Sequence, residues 1–176
     1  MIRKVAFLFV AVFFCSLAAQ AQISTDKIEF YGGYSFLHFN DNGGGGSFNQ
    51  NGWELAGQYK FLPFLGAVAD FSGDYGNGVN THYFLFGPQV SFPWRISPFA
   101  HAMVGAARVG SSFDFGNGVQ VSASDTSFAE AFGGGVDARI KHGLYWRVAQ
   151  IDYIHSNVFG SAQNNTRVST GIVIHF

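Results

Sequence analysis

The chain has 176 residues and is close to neutral, with 10 Lys and Arg against 11 Asp and Glu; only 12% of it is charged, while 21 Phe, 7 Tyr, 3 Trp and 23 Gly dominate its character. Without a basic excess it lacks the electrostatic footprint of a nucleic-acid binder. Its single cysteine, Cys15, excludes a disulfide framework.

Residues 1–21 combine Arg3 and Lys4, an unbroken apolar run over 5–14 and the small-x-small site Ala19-Gln20-Ala21. That is the pattern of a cleaved secretory signal peptide, too short in its apolar part to span a bilayer comfortably. Its removal leaves residues 22–176 as one domain, without cysteine. It also leaves 8 of the 10 basic residues against all 11 acidic ones, a formal net charge of −3.

After the leader the pattern is that of strands. The first is expected over 28–39, with Phe30, Gly32, Tyr34 and Phe36 on one face and Glu29, Tyr31, Gly33 and Ser35 on the other. Asn40 to Ser47, with four consecutive glycines, reads as a loop. The second strand, 53–61, sets Trp53, Leu55, Gly57, Tyr59 and Phe61 against Glu54, Ala56, Gln58 and Lys60. Leu62-Pro63-Phe64 reverses the chain into a third strand, whose Ala67, Ala69, Phe71 and Tyr75 oppose Val68, Asp70, Ser72 and Asp74. Asn77-Gly78 is a hairpin signal. The fourth strand, 79–92, sets Phe84, Phe86, Val90 and Phe92 against Thr81, Tyr83, Gln89 and Ser91, with Pro88 suggesting a bulge or an irregular ladder. The fifth, 99–111, is small on one face (Ala100, Ala102, Val104, Ala106), and its parity puts Arg108 on that apolar face, which calls for a place near a membrane edge. Residues 110–127 read as a long polar excursion. The sixth strand, ending at Ile140, sets Phe128, Phe132, Val136 and Ala138 against Ala131, Gly133, Gly135, Asp137 and Arg139. The seventh, 145–156, is irregular: Gln150 and Asp152 are taken as inward and Arg147 as near the rim. A polar stretch over 156–166 precedes the eighth strand, in which Val168, Thr170, Ile172, Ile174 and Phe176 alternate with Arg167, Ser169, Gly171, Val173 and His175.

This period of two is that of strands, and it predicts an all-β fold: an eight-stranded, antiparallel, up-and-down transmembrane β-barrel. In a soluble sandwich the aromatic face would be the core. Here the opposite face carries small residues and mixed charges suited to a narrow filled interior: Glu54, Lys60, Asp70, Asp137, Arg139, Asp152 and Arg167. The greasy face places Trp53, Phe61, Phe71, Tyr75, Phe92 and Phe176 near strand ends, as interfacial girdles require. Connections after strands two, four and six are short; those after one, five and seven are long and polar; the one after strand three is the exception, being short. A Lys or Arg facing mid-bilayer costs roughly 2–4 kcal/mol, which this arrangement avoids for Lys60, Arg139 and Arg167. Inside, such charges must pair with one another.

The set formed by Gly32-Gly33-Tyr34-Ser35-Phe36-Leu37, Val68-Ala69-Asp70-Phe71-Ser72-Gly73, Phe84-Leu85-Phe86-Gly87-Pro88, Asp152-Tyr153 and the terminal Ser169 to Phe176 resembles the small bacterial outer-membrane β-barrels, OmpA/OmpX-like and porin-family. The resemblance runs over most of 28–176. It implies the bacterial outer membrane as location, outer-membrane lipid and the barrel-assembly machinery as partners, and Ile172, Ile174 and Phe176 as an assembly signal. It implies no single activity and no cofactor. The polar stretches 40–52, 110–127 and 156–166 are the candidate surfaces for an extracellular ligand.

Catalytic readings are weaker. His155-Ser156-Asn157 occupies a position similar to the His-x-Ser-Asn stretch of lipid A deacylases, but adjacent residues on a strand point to opposite faces, so Ser156 has no ready base. Asp70, Ser72 and His101 are triad types with no spacing that selects them. No histidine pair has ligand spacing, and no metal, cofactor or catalytic residue is expected. The function expected is a structural or surface-interaction role with at most a narrow pore. The alternatives are a rim enzyme using His155 and Ser156, or a soluble lipocalin-like binder, which would need its aromatics inside.

Overall fold

The computed structural model describes residues 26–41, 46–114, 120–158 and 160–176; the leader expected over 1–21 lies outside them. Eight strands follow one another: β1 (Ile28–Asp41), β2 (Gly46–Leu62), β3 (Leu65–Gly76), β4 (Val79–Ser91), β5 (Ile96–Asp114), β6 (Gln120–Lys141), β7 (Leu144–Val158) and β8 (Ser161–His175). Each pairs antiparallel with the next, and β8 returns to β1, closing the barrel. Closure sets Phe30 opposite Ile174 and Phe36 opposite Val168, so every strand of the barrel wall is paired on both sides.

The turns follow local chemistry. Asn77 (φ 53°) and Gly78 (φ 73°) both adopt the left-handed conformation that a two-residue type I′ hairpin requires. Gly143 (φ 75°) does the same between β6 and β7. Of the two expectations for Pro88 the irregular ladder holds and the bulge does not: Pro88 pairs with Ala67 in register, and the ladder to β5 skips Gly87 and Pro88 and resumes at Gln89 without a shift. A proline's missing N–H costs a ladder bond without requiring an extra residue.

The irregularity of β7 is a bulge. Register shifts between Arg147 and Gln150 on the β8 side and at Val136/Asp137 on the β6 side, so Val148 is the extra residue and Val148 and Ala149 both face outward. A bulge of one residue inverts the parity of everything beyond it. Gln150, Asp152, Ile154, Ser156 and Val158 therefore point inward together with Tyr145 and Arg147. This corrects the placement of Arg147 near the rim: it is 4% exposed.

The stretches 40–52, 110–127 and 156–166 are largely paired strand rather than loop, since Asp41 pairs with Gly46, Asp114 with Gln120 and Val158 with Ser161. Residues 42–45, 115–119 and 159 lie outside the described residues. Along 122–127 of β6 neither face is buried, so the alternation that marks a strand disappears there while the hydrogen-bond ladder continues. β6, with 22 residues, is about twice the length needed to cross a bilayer, and this end of the barrel projects as hairpin ribbons.

Candidate functional site

The barrel turns its apolar side outward. Phe30, Tyr34, Leu55, Tyr59, Phe84, Phe86, Phe128, Phe132, Ile151, Tyr153 and Ile172 are all exposed. Trp53 meets Phe71 edge-on at 5.2 Å, and Phe71 meets Phe84 at 6.5 Å; Phe71 stands mid-strand in β3 rather than at an end. Small outward residues between these rings leave open grooves, one of about 550 Å³ along Gly32, Gly57 and Ala69.

The interior holds the charges. Arg167 on β8 is fully buried and ties three strands together. Its Nη1 donates to Asp70 Oδ1 (2.9 Å) and to Ser72 Oγ (2.8 Å), and its Nη2 to Asp70 Oδ2 (3.2 Å) and Asp152 Oδ2 (2.7 Å). Nε donates to Asp152 Oδ2 (3.0 Å) and stands 3.5 Å from Glu54 Oε2. Ser169 donates to the same Glu54 carboxylate, and Gln150 Nε2 donates to Glu54 Oε1 (2.8 Å) and Asp152 Oδ2 (2.7 Å). His101 Nε2 stands 2.7 Å from Asp152 Oδ1. Every element of this cluster is on the inward parity of its strand, which is why residues as distant in sequence as Asp70 and Arg167 converge.

A second cluster adjoins the first. Arg147 grips Asp137 with two bonds, Nε to Oδ1 at 2.9 Å and Nη2 to Oδ2 at 3.1 Å, and donates from Nη1 to Gln150 Oε1 at 2.6 Å. Its guanidinium lies between the rings of Tyr31 and Phe99, 4.2 Å from each centroid, a stacking suited to a planar, weakly hydrated cation. Lys60 pairs with Glu29 nearer the end where β1 starts and β8 stops. Six of the seven interior polar residues expected from the sequence are thus buried. The exception is Arg139, which is exposed: it lies on the inward parity but only two residues from the end of β6, where a second register shift opens the ladder. Gln58, Gln89, His101, Arg147 and Gln150 complete the network, and their inward parity was the signal available for all but Arg147.

Toward the ribbon end Leu37, Phe39, Leu85, Met103, Val109, Ile154 and Val158 form one buried apolar cluster, with Gln50, Asp74, Thr81 and Asn165 buried beside it. The cavity bounded by Glu29, Tyr31, Gln58, Gln89 and Arg147 measures about 10 Å³, the lower limit for a single water.

The catalytic combinations do not assemble. Ser156 points inward and His155 outward, where its Nδ1 stands 2.7 Å from Asn164 Oδ1; the β7 bulge lies at Val148 and leaves the two on opposite faces. Asp70 and Ser72 are both held by Arg167, and His101 faces Asp152. A lipocalin-like binder is contradicted by the aromatics lying outside and the interior being filled.

An apolar wall around a charged, packed interior defines the class: an eight-stranded barrel built as outer-membrane barrels are. In sequence the chain matches no protein-family model and no curated protein. In structure it is similar to Ail, the attachment invasion locus protein of Yersinia pestis, at 17% identity and a TM-score of 0.63 over 86% of this chain and 100% of that one. It is also similar to the Neisserial surface protein A, at 14% identity and a TM-score of 0.66, covering 85% of this chain and 97% of that one. The N-terminal β-barrel domain of Pseudomonas aeruginosa OprF follows at 9% identity and a TM-score of 0.51, over 86% and 98%. At these identities the likeness is one of fold.

Proposed function

We propose that the chain is an integral protein of the bacterial outer membrane with a structural or surface-interaction role, and that its interior does not conduct. The observation that carries this reading is the inside-out arrangement: exposed aromatics outside, and inside a hydrogen-bonded charge network capped by the Leu37–Val158 cluster. An eight-stranded barrel is just wide enough for side chains to fill, and here they do. The turns after β2, β4 and β6, with the start of β1 and the end of β8, would face the periplasm and the ribbons the exterior, as in barrels of this kind. The ribbons would supply the contact surface in place of loops 40–52, 110–127 and 156–166. A barrel of this fold acting by contact has a parallel in Ail, whose structure has been determined in complex with the heparin analogue sucrose octasulfate.

Reconstituted into a planar bilayer, the protein is expected to give no discrete current steps. Regular steps that vanish on Leu37→Phe would contradict a sealed interior.

The terminal strand is assigned a second role, with Ile172, Ile174 and Phe176 as the signal for the assembly machinery. Phe176 is exposed, meets Phe30 edge-on at 6.1 Å, and exchanges backbone bonds with Ile28 of 2.9 and 3.2 Å. Deleting Phe176 should lower the yield of folded, membrane-embedded protein several-fold, read from the outer-membrane fraction; an unchanged yield would remove the assignment.

A further inference from the structure

Arg108 breaks the rule that the outward face follows. It is exposed on the apolar parity of β5 and takes part in no ion pair or side-chain hydrogen bond among the described residues. It lies twelve residues beyond Ile96, where β5 begins. At about 3.3 Å per residue and about 40° of strand tilt that is roughly 30 Å along the barrel axis, past an apolar band of about 25 Å. Its level is therefore the outer interface, and its neighbours agree: the strand positions facing it are His82 and Thr126.

His82 is held in place. Its Nε2 and the Tyr75 hydroxyl are 3.1 Å apart, with the rings edge-on at 5.6 Å. Gly73, across the ladder from His82, makes this packing feasible: a Cβ there would come within 3.0 Å of the Tyr75 hydroxyl and 3.2 Å of both His82 and Trp53. In the tautomer whose Nε2 accepts from Tyr75, Nδ1 of His82 carries a proton to donate. Below the pair lies an open groove of about 520 Å³ lined by Phe71, His82, Phe84, Ala106 and Arg108. Ala106 is its floor, flanked across the ladders by Phe84 and Phe128.

We propose that Arg108 and His82 bind the phosphate of a phosphorylated lipid of the outer leaflet, with one of its acyl chains seated over Ala106. A guanidinium offers a phosphate two parallel donors, and few pairings in proteins are stronger. The apolar groove directly beneath the cation distinguishes a lipid headgroup from a free anion. A side chain that merely snorkels to water would need neither the groove nor the braced histidine. The proposal rests on the outer-membrane reading above.

The test is native mass spectrometry of the folded protein extracted in a mild non-ionic detergent and titrated with bisphosphorylated lipid A or with the same lipid stripped of phosphate. The wild type should retain the phosphorylated form about tenfold better. Arg108→Gln should abolish that preference, Arg108→Lys should keep part of it, and Arg95→Gln, an exposed arginine in the β4–β5 turn, should keep all of it. The proposal is overturned if Arg108→Gln retains the wild-type preference, or if inorganic phosphate alone displaces the lipid, which would make this a free-anion site. A protein that fails to fold into phosphatidylcholine vesicles would contradict the membrane reading itself. One that folds there and shows no phosphate preference contradicts only the site.

Discussion

Replacing Arg167 with alanine is expected to destabilise the barrel by about 3–5 kcal/mol, the cost of stripping one partner from a buried ion pair. The guanidinium is completely buried and supplies the donors that Asp70, Asp152 and Ser72 use. Without it, Glu54, Asp70 and Asp152 face one another across a packed interior. A buried charge left without its counter-charge is far more costly than a lost surface contact. Arg167→Lys should recover only part of the loss, because a single ammonium cannot span both Asp70 and Asp152 as the planar fork does. Arg139→Ala, at the exposed end of β6, should stay within about 0.5 kcal/mol of the wild type. Urea unfolding from lipid vesicles measures all three; a loss below about 1 kcal/mol for Arg167→Ala would show that the network contributes little to the fold.

That network was legible in part because period-two alternation assigns a face to each residue and nothing more. It put Glu54, Asp70, Asp152 and Arg167 inside together. It did not pair them, since pairing depends on the register of eight strands and on the slant at which they close. Arg147 was misplaced for a definite reason. The extra Val148 inverts parity within β7, and only the ladders on both sides reveal where the inversion falls. The ribbons at 46–52 and 120–127 carry Gly, Asn and Ser without an alternating pattern, so their sequence looks like loop; their strand state comes from a neighbour's hydrogen bonds rather than from their own side chains. Arg108 was the opposite case. Its outward parity follows from alternation alone, and the physical cost of a cation on an apolar face calls for a level near the membrane edge.

The claim on which everything else depends is that the aromatic and aliphatic face meets lipid. Ile151 tests it best. It lies at the middle of β7, 57% exposed, between Gly134 on β6 and Val168 on β8, and no interior contact would be disturbed by changing it. On a surface bathed in water, Ile151→Arg would change stability by no more than about 0.5 kcal/mol. At the midplane of a bilayer the same change costs roughly 2–4 kcal/mol, falling to about 0–1 kcal/mol near the interface. The decisive measurement is the unfolding free energy of Ile151→Arg in phosphatidylcholine vesicles, beside Asn157→Arg near the ribbon end of the same strand. A loss of about 2–4 kcal/mol for the first and less than about 1 kcal/mol for the second is the expected result; an Ile151→Arg protein as stable as the wild type would contradict the account.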